Sequence, residues 1–171
     1  MSSADTANTT PIATAFERMC RAVRGGNLDA FMEAIASYNG EPAQLVATVD
    51  GSGSTLVHLA AQYANPALLE MLVTMDPSLN IKALVNKPEQ TAERNTPLHL
   101  AANPRVHDEP SALECVQLLL SKGANAKARN AAGDRPGDDS PFAKVRAVIR
   151  QQAAVSASDL AADEDASSDD E

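Results

Sequence analysis

The chain has no tryptophan, and aromatic residues make up only 3% of it. Catalytic and cofactor pockets draw on more aromatic surface than this, so neither an enzyme site nor a bound cofactor is expected. Only two cysteines occur, Cys20 and Cys115, far apart and outside any CxxC pair. That spacing excludes a cysteine zinc site or a disulfide framework. Each thiol sits in a helical apolar pattern, where a free cysteine behaves as a small buried hydrophobe. No apolar run approaches the roughly 20 residues of a membrane span. The opening MSSADTANTTPIATAF is neither basic nor continuously apolar, so no secretory leader is expected. The triplet Asn8-Thr9-Thr10 is then a chance match to a glycosylation signal. A cytoplasmic location follows, with the nucleus open to so small a chain by diffusion.

Positive charge is also missing from one end. From Gln151 onward there is no Lys or Arg, whereas seven acids occur: Asp159, Asp163, Glu164, Asp165, Asp169, Asp170 and Glu171. Residues 1–150 carry 16 acids and 14 bases, so most of the net charge of −9 belongs to this tail. With one Leu and no aromatic, SASDLAADEDASSDDE lacks the means to bury a core and is expected to be disordered. It reads either as a solubilising tail or as an electrostatic arm for a basic partner protein. Ser167 and Ser168 each have an acid three residues downstream, the pattern of acidophilic kinases, and phosphorylation there would deepen the charge. Direct binding to nucleic acid is disfavoured, because phosphates would be repelled.

What the chain does contain is a repeat. GSTLVHLAAQYANPALLEMLV and RNTPLHLAANPRVHDEPSALECVQLLL share Thr-x-x-His-Leu-Ala-Ala ahead of an apolar helix, so Thr55 aligns with Thr96 and His58 with His99. A fainter copy, MCRAVRGGNLDAFMEAIA, lies upstream. Another, NAAGDRPGDDSPFAKVRAVIR, lies downstream and lacks the Leu-His pair. Thr96-Pro97-Leu98-His99-Leu100-Ala101 resembles the T-P-L-H-x-A hallmark of the ankyrin-repeat family at every specified position. The resemblance covers roughly residues 14–150. A tetratricopeptide array has a similar period but does not explain two Thr-x-x-His copies.

The resemblance implies an all-α fold: a short ankyrin solenoid of two good repeats between two degenerate capping repeats, with disordered termini at 1–13 and 151–171. It also implies that Thr55, His58, Thr96 and His99 serve the turn network between neighbouring repeats, with Pro97 at the first helical position. The Thr-to-Thr spacing of 41 residues exceeds the family period of about 33, and the surplus is expected in loops. His107 falls in the insertion NPRVHDEP, between prolines and without a second ligand in register, so it is expected to face solvent. The three acids of DRPGDD (134–139) are likewise expected in a solvated loop, and no metal is expected.

Helical spacing predicts the packing. Phe16, Met19, Cys20 and Val23 are expected to face Leu28, Phe31, Met32 and Ile35. Leu56, Leu59 and Ala60 should face Leu68, Leu69, Leu72 and Val73. Leu113, Val116, Leu119 and Leu120 form the next row, followed by Phe142, Val145, Val148 and Ile149. Capping boxes are expected at Thr14-x-x-Glu17 and Ser111-x-x-Glu114. Ser140-Pro141 should open the last helix, and Gly123 should end the one before it.

Solenoids bind proteins on the surface formed by turn tips and inner helices. The candidate contact residues there are Asp50, Ser52, Gln62 and Tyr63 from one repeat, and Glu93, Arg94, Asn95 and Asn103 from the next. Two functions are open. The connector TMDPSLNIKALVNKPEQTAERNTPLH and the acidic tail from Asp159 resemble the small fungal ankyrin chaperones dedicated to a ribosomal protein. That resemblance implies an escort for a basic ribosomal protein during small-subunit assembly; the short tail and the insertion after Asn103 depart from the pattern. The alternative is an adaptor or inhibitor that docks on a kinase or transcription factor through its concave face, with little salt dependence. A monomer is expected, since a capped solenoid needs no partner to close.

Overall fold

A computed structural model of the chain describes residues 11–76, 79–106 and 108–158. His107, the Asn8 triplet, the seven tail acids, Ser167 and Ser168 lie outside the described residues. Among the described residues there are helices and no strand: α1 (Pro11–Gly25), α2 (Leu28–Ala36), α3 (Pro42–Ala47), α4 (Leu56–Gln62), α5 (Pro66–Thr74), α6 (Ile81–Asn86), α7 (Pro97–Ala102), α8 (Glu109–Ser121) and α9 (Ala143–Ser158). Helices α1 and α2, α4 and α5, and α7 and α8 pack as successive pairs. The inner helices α1, α4 and α7 follow one another in a row, while α5, α8 and α9 form the outer row. Each pair alone would leave an apolar face in water; stacking buries those faces in one continuous core.

The pairs are built alike because their loops are alike. Gly26 and Ala64 occupy the same place before the second helix and both are left-handed, at φ 64° and 48°. The next residue, Asn27 or Asn65, caps that helix: its side chain accepts from Ala30 N at 2.9 Å or from Leu68 N at 3.4 Å. Alanines at the inner-helix contacts (Ala22, Ala60, Ala61, Ala101 and Ala102) are all buried. A methyl side chain lets the helices approach closely, which accounts for a core with so few aromatics.

Several local expectations are corrected. The surplus between Thr55 and Thr96 is loop only in part: it also forms α6, and a similar short helix, α3, precedes Thr55; their Leu45, Val46 and Val85 are fully buried. A short apolar string gains most by winding one turn against the core, because this pairs its amides while burying its side chains. At the end of α6, Asn86 buckles two repeats together. Its Nδ2 donates to Gly123 O at 2.8 Å and its Oδ1 accepts from Asn125 N at 2.7 Å. Helix α1 starts at Pro11, so Thr14 lies inside it and opens no capping box. Helix α8 is capped by Asp108, which accepts from the amide and hydroxyl of Ser111; a carboxylate is the better partner for the first-turn donors. Helix α9 begins at Ala143, two residues past Pro141, and Ser140 Oγ instead accepts from Phe142 N at 3.3 Å. At its other end α9 continues through Ser158, beyond the boundary at 150, since QQAAVSAS contains good helix formers and no charge.

The core follows the predicted spacing with one rotation. Phe31 and Ala34 are the buried residues of α2, while Leu28 and Met32 are 39% and 47% exposed. An end helix has only one neighbour and so buries a narrower stripe. Cys20 and Cys115 are free and buried, and burial pushes both thiols up to about 12. Gly123, at φ 87°, ends α8 as expected. No helix among the described residues is long and apolar enough to cross a membrane.

Candidate protein-binding face

Three turn tips project ahead of the inner helices, and they share one register. The first closes with Asp50 N donating to Ser54 O (2.9 Å), the second with Glu89 N to Asn95 O (2.9 Å), the third with Asn130 N to Asp134 O (3.1 Å). The left-handed corner is held by Gly53 (φ 75°), Arg94 (φ 53°) and Gly133 (φ 91°) in turn. In the outer two tips the corner is braced from inside. Asp50 Oδ1 accepts from Ser52 N and Ser54 N, and Asn130 Oδ1 from Ala132 N and Asp134 N. The equivalent residue of the middle, longer tip is Thr91, whose buried hydroxyl has no hydrogen-bond partner among the described residues. The tips also bond to one another. Gln90 N donates to Gly53 O at 3.3 Å and Ala131 N to Glu93 O at 2.8 Å.

Behind the tips, two histidines tie each inner helix to the next repeat. His58 Nε2 lies 2.9 Å from Lys87 O, and His99 Nε2 lies 3.0 Å from Asp134 O. A carbonyl can only accept, so Nε2 carries the proton and Nδ1 is the acceptor. Nδ1 then receives the amide of the helix-capping threonine at 3.2 Å and its hydroxyl at 2.8 Å, for both Thr55/His58 and Thr96/His99. This is a capping box with histidine in the place of Glu or Gln. A second proton on Nδ1 would point at an N–H donor in a buried site. Burial accordingly lowers the His58 pKa to about 4, and lowers that of His99 as well. These bonds, and the burial of Pro97, engage the five residues within the packing of the repeats.

The tips and inner helices enclose a chain of hollows. One of ≈ 620 Å³ is lined by Asp50, Ser52, Gln62, Tyr63 and Glu93, together with Arg24, Ser54, Leu59, Glu89, Thr91, Ala92, Leu100 and Arg105. It adjoins another of ≈ 410 Å³ that shares Gln62, Glu93 and Leu100 and adds Asn95, Asn103, Asn130, Asp134 and Asp139. Six of the eight candidate residues thus meet on one face with accessible side chains: Asp50, Ser52, Gln62, Tyr63, Glu93 and Asn103. Two do not. Arg94 lines a separate hollow with Asn86, Pro88 and Thr96, because its left-handed φ turns it to the other side of the tip. Asn95 is 8% exposed; it donates to Glu93 Oε2 at 2.7 Å and accepts from Asn130 Nδ2 at 3.1 Å, so its polar atoms are engaged within the fold.

Residues absent from the sequence-based set complete the face. Arg24 occupies in α1 the register of Gln62 in α4, two residues before the left-handed loop position; Asn103, just past α7, stands as far from His99 as Gln62 does from His58. Carrying the repeat alignment back to the faint first copy would have found Arg24. It bonds Asp50 at 3.2 Å. Burial raises the Asp50 pKa, but hydrogen bonds from Ser52 and Ser54, with Arg24 beside it, hold the carboxyl below its ordinary value. Arg105 has no such signal: it reaches the face because the insertion folds back, with its amide donating to Gln62 O at 2.8 Å. Among the described residues no group of three or more His, Cys, Asp or Glu is placed to hold a metal.

Helix pairs stacked behind bonded turn tips, with Thr-His boxes joining one unit to the next, define a repeat array of the protein-binding kind. A family model for ankyrin repeats in three copies matches residues 19–130, more than half of the sequence, and the chain belongs to the ankyrin-repeat family. Among individual proteins it is similar to NF-kappa-B inhibitor delta of Mus musculus, with 36% identity over 85 residues, 50% of this chain and 24% of that protein. It is similar to NF-kappa-B inhibitor zeta of Bos taurus, with 33% identity over 100 residues, 58% of this chain and 13% of that protein. A rice protein (Oryza sativa subsp. japonica), Zinc finger CCCH domain-containing protein 24, is 37% identical over 84 residues, 49% of this chain and 10% of its own length. The matched regions span a quarter or less of these relatives.

Proposed function

We infer that this chain is a non-catalytic binding module, an adaptor or inhibitor that docks on a regulatory protein through its concave face and works in cytoplasm or nucleus. The observation that carries this reading is the run of hollows across the tips, joined at Gln62, Glu93 and Leu100. It is continuous over several repeats and too open and polar for a small-molecule site. That two of the relatives bear the name of inhibitors of NF-kappa-B favours a transcription-factor class of partner over the escort of a ribosomal protein. The contact set under this reading is Asp50, Ser52, Gln62, Tyr63, Glu93 and Asn103, with Arg24 and Arg105.

The test is affinity capture from the chain's own cells, followed by binding measurements on the partner identified. Gln62→Arg with Asn103→Arg should weaken that partner at least tenfold, while Gln117→Arg on the exposed side of α8 should leave it bound. A chain ending at Ser158 should still hold it. Loss of binding on that truncation, with the concave variants unaffected, would sink this reading and restore the acidic escort.

A further inference from the structure

The face carries a third hollow at its first end. A slot of ≈ 610 Å³ between α1 and the first tip is lined by Phe16, Cys20 and Val49, and it shares Arg24, Asp50 and Ser52 with the central hollow. The Arg24–Asp50 ion pair thus forms the ridge between an apolar slot and a polar hollow. With Arg24 and Asp50 paired to each other, the remaining charged groups of the central hollow are Glu89, Glu93 and Arg105, so acids outnumber bases two to one. Glu89 is 6% exposed, yet Ser54 Oγ, at 3.2 Å, is the one hydrogen-bond donor it has among the described residues. Burying a carboxylate with a single hydroxyl partner is unfavourable. Thr91 lines the same hollow, with its own hydroxyl buried behind the surface, and Leu59, Leu100 and Tyr63 supply the apolar part of the lining.

One kind of group answers both the carboxylates and the apolar lining: a cationic head with several N–H donors on a flexible apolar stem. We propose that the central hollow seats an arginine or lysine side chain of the partner protein, with a neighbouring apolar residue of the same extended segment in the slot across the Arg24–Asp50 ridge. The stem lies on Leu59, Leu100 and Tyr63, and the head donates to Glu89 and Glu93 in charge-assisted bonds. An anionic or purely apolar segment would leave Glu89 buried without a further donor and is disfavoured. The proposal rests on the concave face being the docking surface and adds the chemistry of what docks there.

The probes are two fluorescent decapeptides, one alternating leucine and arginine, the other alternating leucine and glutamate, titrated onto the full chain by polarisation. We expect the arginine peptide to bind at least tenfold more tightly, more weakly at 200 mM than at 50 mM NaCl. Glu93→Gln should weaken it about fivefold, with a further loss on Glu89→Gln. Unchanged unfolding midpoints of both variants keep the effect on the hollow, and any contribution of the tail acids is equal in wild type and variants. Equal affinity for both peptides, no binding of either, or an arginine peptide insensitive to Glu93→Gln would overturn the proposal. If the natural partner is lost with Gln62→Arg and Asn103→Arg but is indifferent to Glu93→Gln, this inference falls while the proposed function stands.

Discussion

Acidification should loosen the array through its histidines before it touches the carboxylates. In the folded chain His58 has a pKa of about 4, because its ring is buried with Nδ1 facing an N–H and Nε2 facing a carbonyl. In the unfolded chain the value returns to about 6.5. The folded pKa is the lower one, so the unfolded state takes up the proton first. Stability is therefore full above about pH 6.5 and declines as pH falls towards 4. For this one site the loss between pH 7 and pH 5 is about 2 kcal/mol, approaching about 3 kcal/mol at the lower limit. His99 is lowered too and adds to the loss with the same sign. Asp50, held below its ordinary value, begins to contribute only in the range of carboxylate titration, so pH 7 to 5 isolates the imidazoles. The assay is urea unfolding at half-unit pH intervals for the wild type and for His58→Gln, whose amide has a donor and an acceptor but no proton to gain. The wild-type midpoint should fall over this window, and the slope should be markedly reduced in the variant. A flat wild-type profile, or an unchanged slope in His58→Gln/His99→Gln, would refute the assignment of Nε2 as the bound donor in a site that excludes the second proton.

Gly53→Ala should lower stability by about 2 kcal/mol or more in denaturant unfolding, because φ is +75° and the new Cβ would stand 2.3 Å from Gln90 Cβ in the next tip. Arg94→Gly should raise stability by up to about 1 kcal/mol in the same assay, since Arg94 holds the left-handed corner that glycine holds in the other tips. Cys20 and Cys115, buried with thiols pushed up to about 12, should resist a thiol reagent at pH 8 in the native chain and both react in denaturant.

The legible part of the face was the part written in repeated residues. Thr55 and Thr96, with His58 and His99, are equivalent in spacing and in the bonds within each Thr-His box; their Nε2 partners differ, Lys87 O ahead of the second tip and Asp134 O at the close of the third. Gln62 and Asn103 were found because they stand at one distance from those histidines. Arg24 obeys the same register, but its repeat has neither Thr nor His at the marked positions, so the alignment lost its anchor. Arg94 and Asn95 were misassigned for a different reason. Position in a turn tip is readable, but the side to which a side chain turns depends on φ at that residue and on what the next tip offers. The helices α3 and α6 were hidden because six residues carry too little periodicity to separate a turn of helix from a loop.

Periodicity, small-residue content and the Thr-Pro-Leu-His pattern by themselves determined a stacked helical array, since amphipathic pairs of this kind have no other way to bury their apolar faces. Only the tertiary structure decided that Arg24 bridges to Asp50, that the insertion brings Arg105 back over Gln62, and that Glu89 and Glu93 share a polar hollow across that bridge from an apolar slot. Such juxtapositions join residues dozens of positions apart, and their energies come from burial and distance, which exist only once the repeats have stacked.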